Sequence, residues 1–163
     1  MIVSPGRSPL LPFAAVLLTA SLYPAGARAE LGGTMSGVQA DGARMARRVA
    51  SVTLDSYTRH DLTRANGGMV REFTNAKGQV FAITWSGPGK PDLRTLLGRY
   101  FATLQADSGG IGRTMHSLRR PPQVSQPDLQ IQTGGHMGWF NGVALIPSLA
   151  PRGFAATGLV QEP

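Results

Sequence analysis

Three histidines, His60, His116 and His136, are the first residues to weigh for chemistry, because imidazole alone changes charge near neutral pH without help from its surroundings. They are scattered, and the H-E-x-x-H spacing that turns two imidazoles onto one helix face is absent. No metal site and no cofactor is expected. His136 is the distinctive one, set in TGGHMGWF beside Met137, Trp139 and Phe140. Its ring has two readings. It is a general base or ligand contact against an aromatic wall, or it fixes a turn by bonding a backbone carbonyl. A thiol nucleophile is excluded, since the chain has no cysteine, and no G-x-S-x-G elbow presents a serine.

The carboxylates Asp55, Asp61, Glu72, Asp92, Asp107 and Asp128 are the other source of acid–base chemistry. A glycosidase needs two carboxyls facing each other about 5–9 Å apart, and no spacing here imposes that. Asp92 reads as a helix cap and Asp128 as a strand-start residue. Glu72 follows Arg71 on a hairpin, where cross-strand charge pairs are usual. A catalytic reading would take His136 as base with Asp128 orienting it. A binding reading takes His136, Trp139 and Phe140 as contacts. Trp139 and Phe140 are adjacent on an expected strand, so their side chains leave on opposite faces, and one of them is exposed or covered by a partner. Gly109-Gly110-Ile111-Gly112-Arg113 follows a helix, so its amides form no phosphate cradle at a helix start.

The elements that position these residues centre on residues 68–106. After an Ala65-Asn66-Gly67-Gly68 turn, residues 69–74 form a strand. Asn75-Ala76-Lys77-Gly78 suits a type I turn closed by a left-handed glycine. Residues 79–85 form the next strand, with Phe81, Ile83 and Trp85 at period two. Ser86-Gly87-Pro88-Gly89-Lys90-Pro91 then stops the sheet, because proline donates nothing to the ladder. Asp92 caps a helix whose Leu93, Leu96, Leu97, Tyr100, Phe101 and Leu104 make one apolar stripe. Arg94, Thr95, Arg99 and Gln105 fall on its wet side. The stripe is expected to pack on the Phe81/Ile83/Trp85 face and the helix to end near residues 107–110.

Around this centre, residues 51–62 are expected to form a strand, and residues 111–126 a surface loop. Residues 128–133 form a fourth strand, Gly134-Gly135 a turn, and residues 136–146 a fifth strand in which Gly138 and Gly142 mark bulges or close backbone contact. The predicted class is α+β: a small antiparallel sheet in β-β-β-α-β-β order with one amphipathic helix across a face. Domain limits are 51–147, with a flexible lead-in at 30–50 and a tail at 148–163 that packs Leu149 and Phe154 on the body.

Residues 1–29 read as a secretory signal peptide: Arg7, an apolar run from Leu10 to Leu22, and Ala27-Arg28-Ala29 before Glu30. The run is shorter than the roughly 20 residues a spanning helix needs, so no transmembrane segment is expected in the mature chain. Cleavage after Ala29 places the protein in the periplasm or outside the cell. The net charge is +7, and losing Arg7 and Arg28 leaves 14 basic against 9 acidic side chains. A basic exported protein meets anionic envelope components. The basic knots at Arg44, Arg47, Arg48 and at Arg113, Arg119, Arg120 lack interleaved aromatics, so nucleic acid is not an expected partner.

The runs REFTNAKGQVFAITWSGP, PDLRTLLGRYF and TGGHMGWFNGVALIPSLAPRG resemble an exported bacterial family, domain-of-unknown-function (DUF) family 2844. The resemblance covers residues 31–153. It implies export and these domain limits, and carries no activity or catalytic residue. Two functional classes remain: a non-enzymatic envelope module that binds a protein or envelope component through the GGHMGWF strand, and a small envelope hydrolase using His136.

Overall fold

The computed structural model describes residues 30–109, 121–154 and 159. The expected leader, His116 and the knot at Arg113, Arg119 and Arg120 lie outside the described residues. The elements run α1 (Met35–Met45), β1 (Ala46–Thr53), β2 (Tyr57–Arg64), β3 (Met69–Asn75), β4 (Val80–Pro88), α2 (Leu93–Leu97), a 3-10 turn (Gly98–Tyr100), α3 (Phe101–Gly109), β5 (Gln123–Ser125), β6 (Gln130–His136), β7 (Trp139–Leu145) and a 3-10 turn (Pro147–Leu149). The class is α+β. The strands form one antiparallel sheet of seven, ordered β1-β2-β3-β4-β7-β6-β5.

The central hairpin follows its local chemistry. Asn75 Oδ1 accepts from the amides of Lys77 (3.0 Å) and Gln79 (3.1 Å), and Gly78 takes φ +73°. A bulge after Phe73 pairs Thr74 with Val80, and this changes the expected face. Ile83 and Trp85 join the cluster with Leu96, Leu97 and Leu104. Phe81 instead goes to the opposite face with Phe73, Ala82 and Leu145. β4 is thus buried on both sides: Val80, Phe81, Ala82, Ile83 and Trp85 are at 4 % exposure or less and Thr84 is at 7 %. It also continues through Pro88, which pairs with Trp139; proline is tolerated there as the strand's last residue.

Asp92 caps α2 as expected. Its Oδ2 accepts from the Thr95 hydroxyl at 2.7 Å and its Oδ1 from the amides of Thr95 and Arg94. The Thr95 bond leads in holding this carboxyl below its ordinary pKa. Leu96, Leu97 and Leu104 of the apolar stripe are buried and Leu93, Tyr100 and Phe101 half-buried against the same cluster, but the helix breaks at Gly98 (φ +51°), where any Cβ would run into Glu30.

Four expectations are corrected. Residues 30–50 hold α1 and the start of β1. Leu31 N donates to Leu96 O (2.9 Å), Gly32 N to Val80 O (2.8 Å) and Val80 N to Gly33 O (2.9 Å), so tertiary bonds order a stretch with little hydrophobic period. The expected strand at 51–62 is a hairpin, closed where Leu54 N donates to Tyr57 O. Residues 123–125 of the expected loop form β5. Gly134 and Gly135 lie inside β6, and the turn falls at Met137-Gly138, with Gly138 at φ +81°.

Gly142 shows why glycine sits inside β7. Trp85 lies across it, and a Cβ there would run into Trp85 Cζ2 and stand 2.6 Å from the Gln132 carbonyl oxygen. Such overpacking costs about 1–3 kcal/mol. Gly142→Ala is therefore expected to lower the unfolding free energy by that amount, read as a lower urea midpoint with the slope unchanged; an unaltered midpoint would show that the indole does not rest on this backbone.

Candidate functional site

The β6–β7 hairpin carries the GGHMGWF residues at its tip, alongside the end of β4. His136 pairs with Trp139 across the turn, and Gly135 with Phe140. Gly135, at φ +133°, has no room for a Cβ against the Trp139 carbonyl, so this glycine lets the two strands close. The tip is moored to the loop after β4, where Gly89 N donates to Gly138 O at 3.2 Å. That loop is braced from the β2–β3 turn, where Asn66 Nδ2 donates to Pro88 O at 2.6 Å.

Strand alternation sends Phe140 and Trp139 to opposite faces. Phe140 turns toward the helices and, with Trp85, Leu93 and Leu104, lines an open cleft of about 500 Å³. Its walls are mostly apolar, with His136 and Met137 at the hairpin tip and Pro91 and Pro122 opposite. Met137 is almost fully exposed. Trp139 is 38 % exposed on the far side of the sheet and does not enter this cleft. The described lining contains no carboxylate.

Asp128 precedes β6 at one end and His136 closes the other. Six residues of extended strand separate Gln130 from His136, about 20 Å at the usual rise. Asp128 therefore does not orient the His136 ring, and the structure does not bring that pair together.

The charged groups it does bring together lie elsewhere. One row across the sheet reads Ser51, His60, Glu72, Ile83, Ala144, Ile131 and Val124, polar on one side of β4 and apolar on the other. His60 Nδ1 lies 2.8 Å from Ser51 Oγ, and Nε2 3.1 Å from Thr74 Oγ1. The Thr74 hydroxyl donates onward to Thr58 O at 3.5 Å, so it accepts from Nε2–H and leaves Nδ1 to accept from Ser51. Burial lowers the His60 pKa, against the opposing pull of Asp61. A neutral imidazole beside a serine is the pairing of a base and a nucleophile. Here its second nitrogen meets a hydroxyl instead of a carboxylate, and the chain of bonds ties β1 to β2 and β3.

Glu72 corrects the expected Arg71–Glu72 arrangement. Arg71 faces the other side of the sheet and pairs with Asp61 at 3.3 Å. Glu72 is fully buried, and neither of its carboxyl oxygens has a hydrogen-bond partner among the described residues. Burial, reinforced by the equally buried Asp41 of α1, pushes its pKa up to about 9. Asp41 itself lies 3.5 Å from Arg44. Sequence spacing did not reveal this cluster, because Asp41 and Glu72 meet only when α1 folds onto the sheet. Among the described residues, no group of three or more His, Cys, Asp or Glu side chains is placed to hold a metal ion. No helix among them is long and apolar enough to cross a membrane.

The pH consequence has a definite sign. With its folded pKa raised, Glu72 keeps a proton that the unfolded chain releases, so stability falls as pH rises from the ordinary carboxylate range toward 9. Each pH unit inside that window costs up to about 1.4 kcal/mol. Glu72→Gln is expected to raise the unfolding free energy at pH 8 by more than at pH 5, the difference amounting to about 2 kcal/mol or more. Equal effects at both pH values would show that Glu72 is ionised in the fold.

A family model described as "Protein of unknown function (DUF2844)" matches residues 27–159. No curated protein and no solved structure matches the chain.

Proposed function

The chain belongs to the DUF2844 family, whose description carries no activity, and from that premise we propose that it is a non-enzymatic binding module of the bacterial cell envelope. Its partner is an envelope protein that offers an extended segment with apolar side chains. The segment adds to the outer edge of β6 and places a side chain in the cleft beside Phe140.

One observation carries this reading. β5 pairs with β6 only from Gln130 to Gln132, whereas β7 pairs with β6 as far as His136. Thr133 is still flanked by Pro122, whose carbonyl accepts from its hydroxyl at 2.8 Å, but residues 134–136 have no strand on their outer side among the described residues, and this open edge borders the apolar cleft. Main-chain bonds to a sheet edge supply affinity, and a pocket for alternate side chains supplies selectivity. His136, at the end of this edge, is a contact in this reading, and Phe140 is the wall against which the inserted group packs. Trp139, on the other face, makes a separate and smaller contribution. The envelope location is supported by the leader-like layout of residues 1–29, with its basic start, short apolar run and Ala27-Arg28-Ala29.

A photo-crosslinking residue at Met137, expressed in the native host, tests the binding reading. The expected result is one envelope protein crosslinked, lost in Phe140→Ala and retained in Trp139→Ala. Crosslinking that ignores Phe140→Ala would remove the cleft from recognition. For export, the intact mass of protein recovered from the envelope is expected to begin at Glu30; a mass that still includes residues 1–29 would contradict cleavage.

A further inference from the structure

The face of the sheet turned away from the helices carries a second concave site, distinct from the cleft at Phe140. β2 contributes Tyr57 and Arg59 to it, β3 Arg71 and Phe73, and β4 Thr84. The remaining wall comes from the chain after β7. Asn75 Nδ2 donates to Leu149 O at 3.0 Å and starts this segment back across the sheet. Phe154 then sits edge-on to Phe81, with centroids 4.7 Å apart, and edge-on to Tyr57 at 5.4 Å. The anchored ring places Arg152 on the rim of a cavity of about 360 Å³, with Arg59 and Arg71 in the same lining. That volume lies within the range of small-molecule sites.

The charge in this site is unbalanced. Asp61 accepts from Arg59 Nε at 3.2 Å and Nη2 at 3.0 Å, and its other oxygen lies 3.3 Å from Arg71 Nε. Among the described residues, one carboxylate thus holds the Arg59 and Arg71 guanidinium groups in place, and it does not reach Arg152. Arg152 is exposed and has no ion pair among the described residues. A guanidinium is a planar fork of donors that fits a carboxylate through two parallel bonds. The rings of Tyr57, Phe73 and Phe154, tilted or edge-on to one another, offer an apolar wall beside that fork, and such a wall gains nothing from a bare inorganic anion.

We propose that this pocket binds a small organic acid, a carboxylate on an apolar or aromatic body, with Arg152 and Arg59 taking the carboxylate and Tyr57 and Phe154 packing on the body. The site depends on residues 147–154 folding back, so one half comes from β2–β4 and the other from the C-terminal end of the domain. It is independent of partner binding at β6, and its failure would leave that reading untouched.

Benzoate titrated into the purified protein by calorimetry at low salt tests the assignment, with acetate and inorganic phosphate as comparison ligands. Saturable one-to-one binding of benzoate is expected, about tenfold or more tighter than acetate, since ring packing adds to the shared carboxylate contact. Arg152→Ala should weaken benzoate about tenfold with no change in melting temperature, because that side chain is exposed. Phe154→Leu, which keeps an apolar anchor but removes the ring, should narrow the gap between benzoate and acetate. Absence of saturable benzoate binding, phosphate binding tighter than benzoate, or unchanged affinity in Arg152→Ala would each overturn the proposal.

Discussion

The burial of β4 on both faces is the constraint from which the rest of the architecture follows. A strand in an antiparallel sheet commonly keeps one face wet, but Val80, Phe81, Ala82, Ile83 and Trp85 are all buried. Each face therefore needs a cover. On one side the apolar stripe of α2 and α3 supplies it, with Leu31 and Val38 of the N-terminal segment joining the same cluster. On the other, Leu149, Ala150 and Phe154 return from the C-terminal end to pack on Phe73, Phe81 and Leu145. Both ends of the domain thus serve the same central strand. The bulge after Phe73 makes this possible by sending Phe81 to the tail side while Ile83 and Trp85 remain under the helices.

The same alternation sorts charge. Arg71 and Glu72 are neighbours in sequence and opposites in environment. Arg71 shares Asp61 with Arg59 on the tail side, near solvent. Glu72 lies in the interior beside the other buried carboxyl, Asp41, and stays protonated at neutral pH. Removing a charged carboxylate from water without a matched partner is costly enough that the group gives up its charge instead. The two faces of one strand thereby acquire different electrostatics, neutral under the helix and net positive under the tail.

Each face also gains a concavity where its cover is incomplete. The helices leave the apolar cleft beside Phe140, and the returning tail leaves the arginine-lined pocket beside Tyr57. The glycines of the last hairpin shape the first of these. Gly142 gives Trp85 room to lie flat as part of the wall, and Gly135 lets the strands close tightly enough to carry His136 and Met137 to the rim. The two sites differ in chemistry because their covers differ: leucine and proline on one side, arginine and aromatic rings on the other.

Where local rules suffice, the sequence by itself determined the outcome. The Asn75–Gly78 turn, the Asp92 cap, the leucine stripe and the opposed directions of Trp139 and Phe140 all depend on bonds or periods spanning a few residues. The packing of Leu149 and Phe154 was also legible, as isolated large apolar groups in a polar tail. Tertiary structure alone decided the remainder. Residues 35–50 take up helix and the start of a strand in a chain whose Leu31, Gly32 and Gly33 are tied to Val80 and Leu96 far along the sequence, and their weakly patterned composition carries no trace of those bonds. Gly134 and Gly135 have the composition of a turn, yet the pairing with β7 keeps them in a strand and moves the turn to Gly138. Asp128 and His136 look close in sequence, but an extended strand holds them far apart. Arg152 joins Arg59 and Arg71 only when the last segment crosses the sheet. Period and turn chemistry act over one or two turns of chain, whereas a binding surface is assembled from residues whose contact depends on the whole sheet closing.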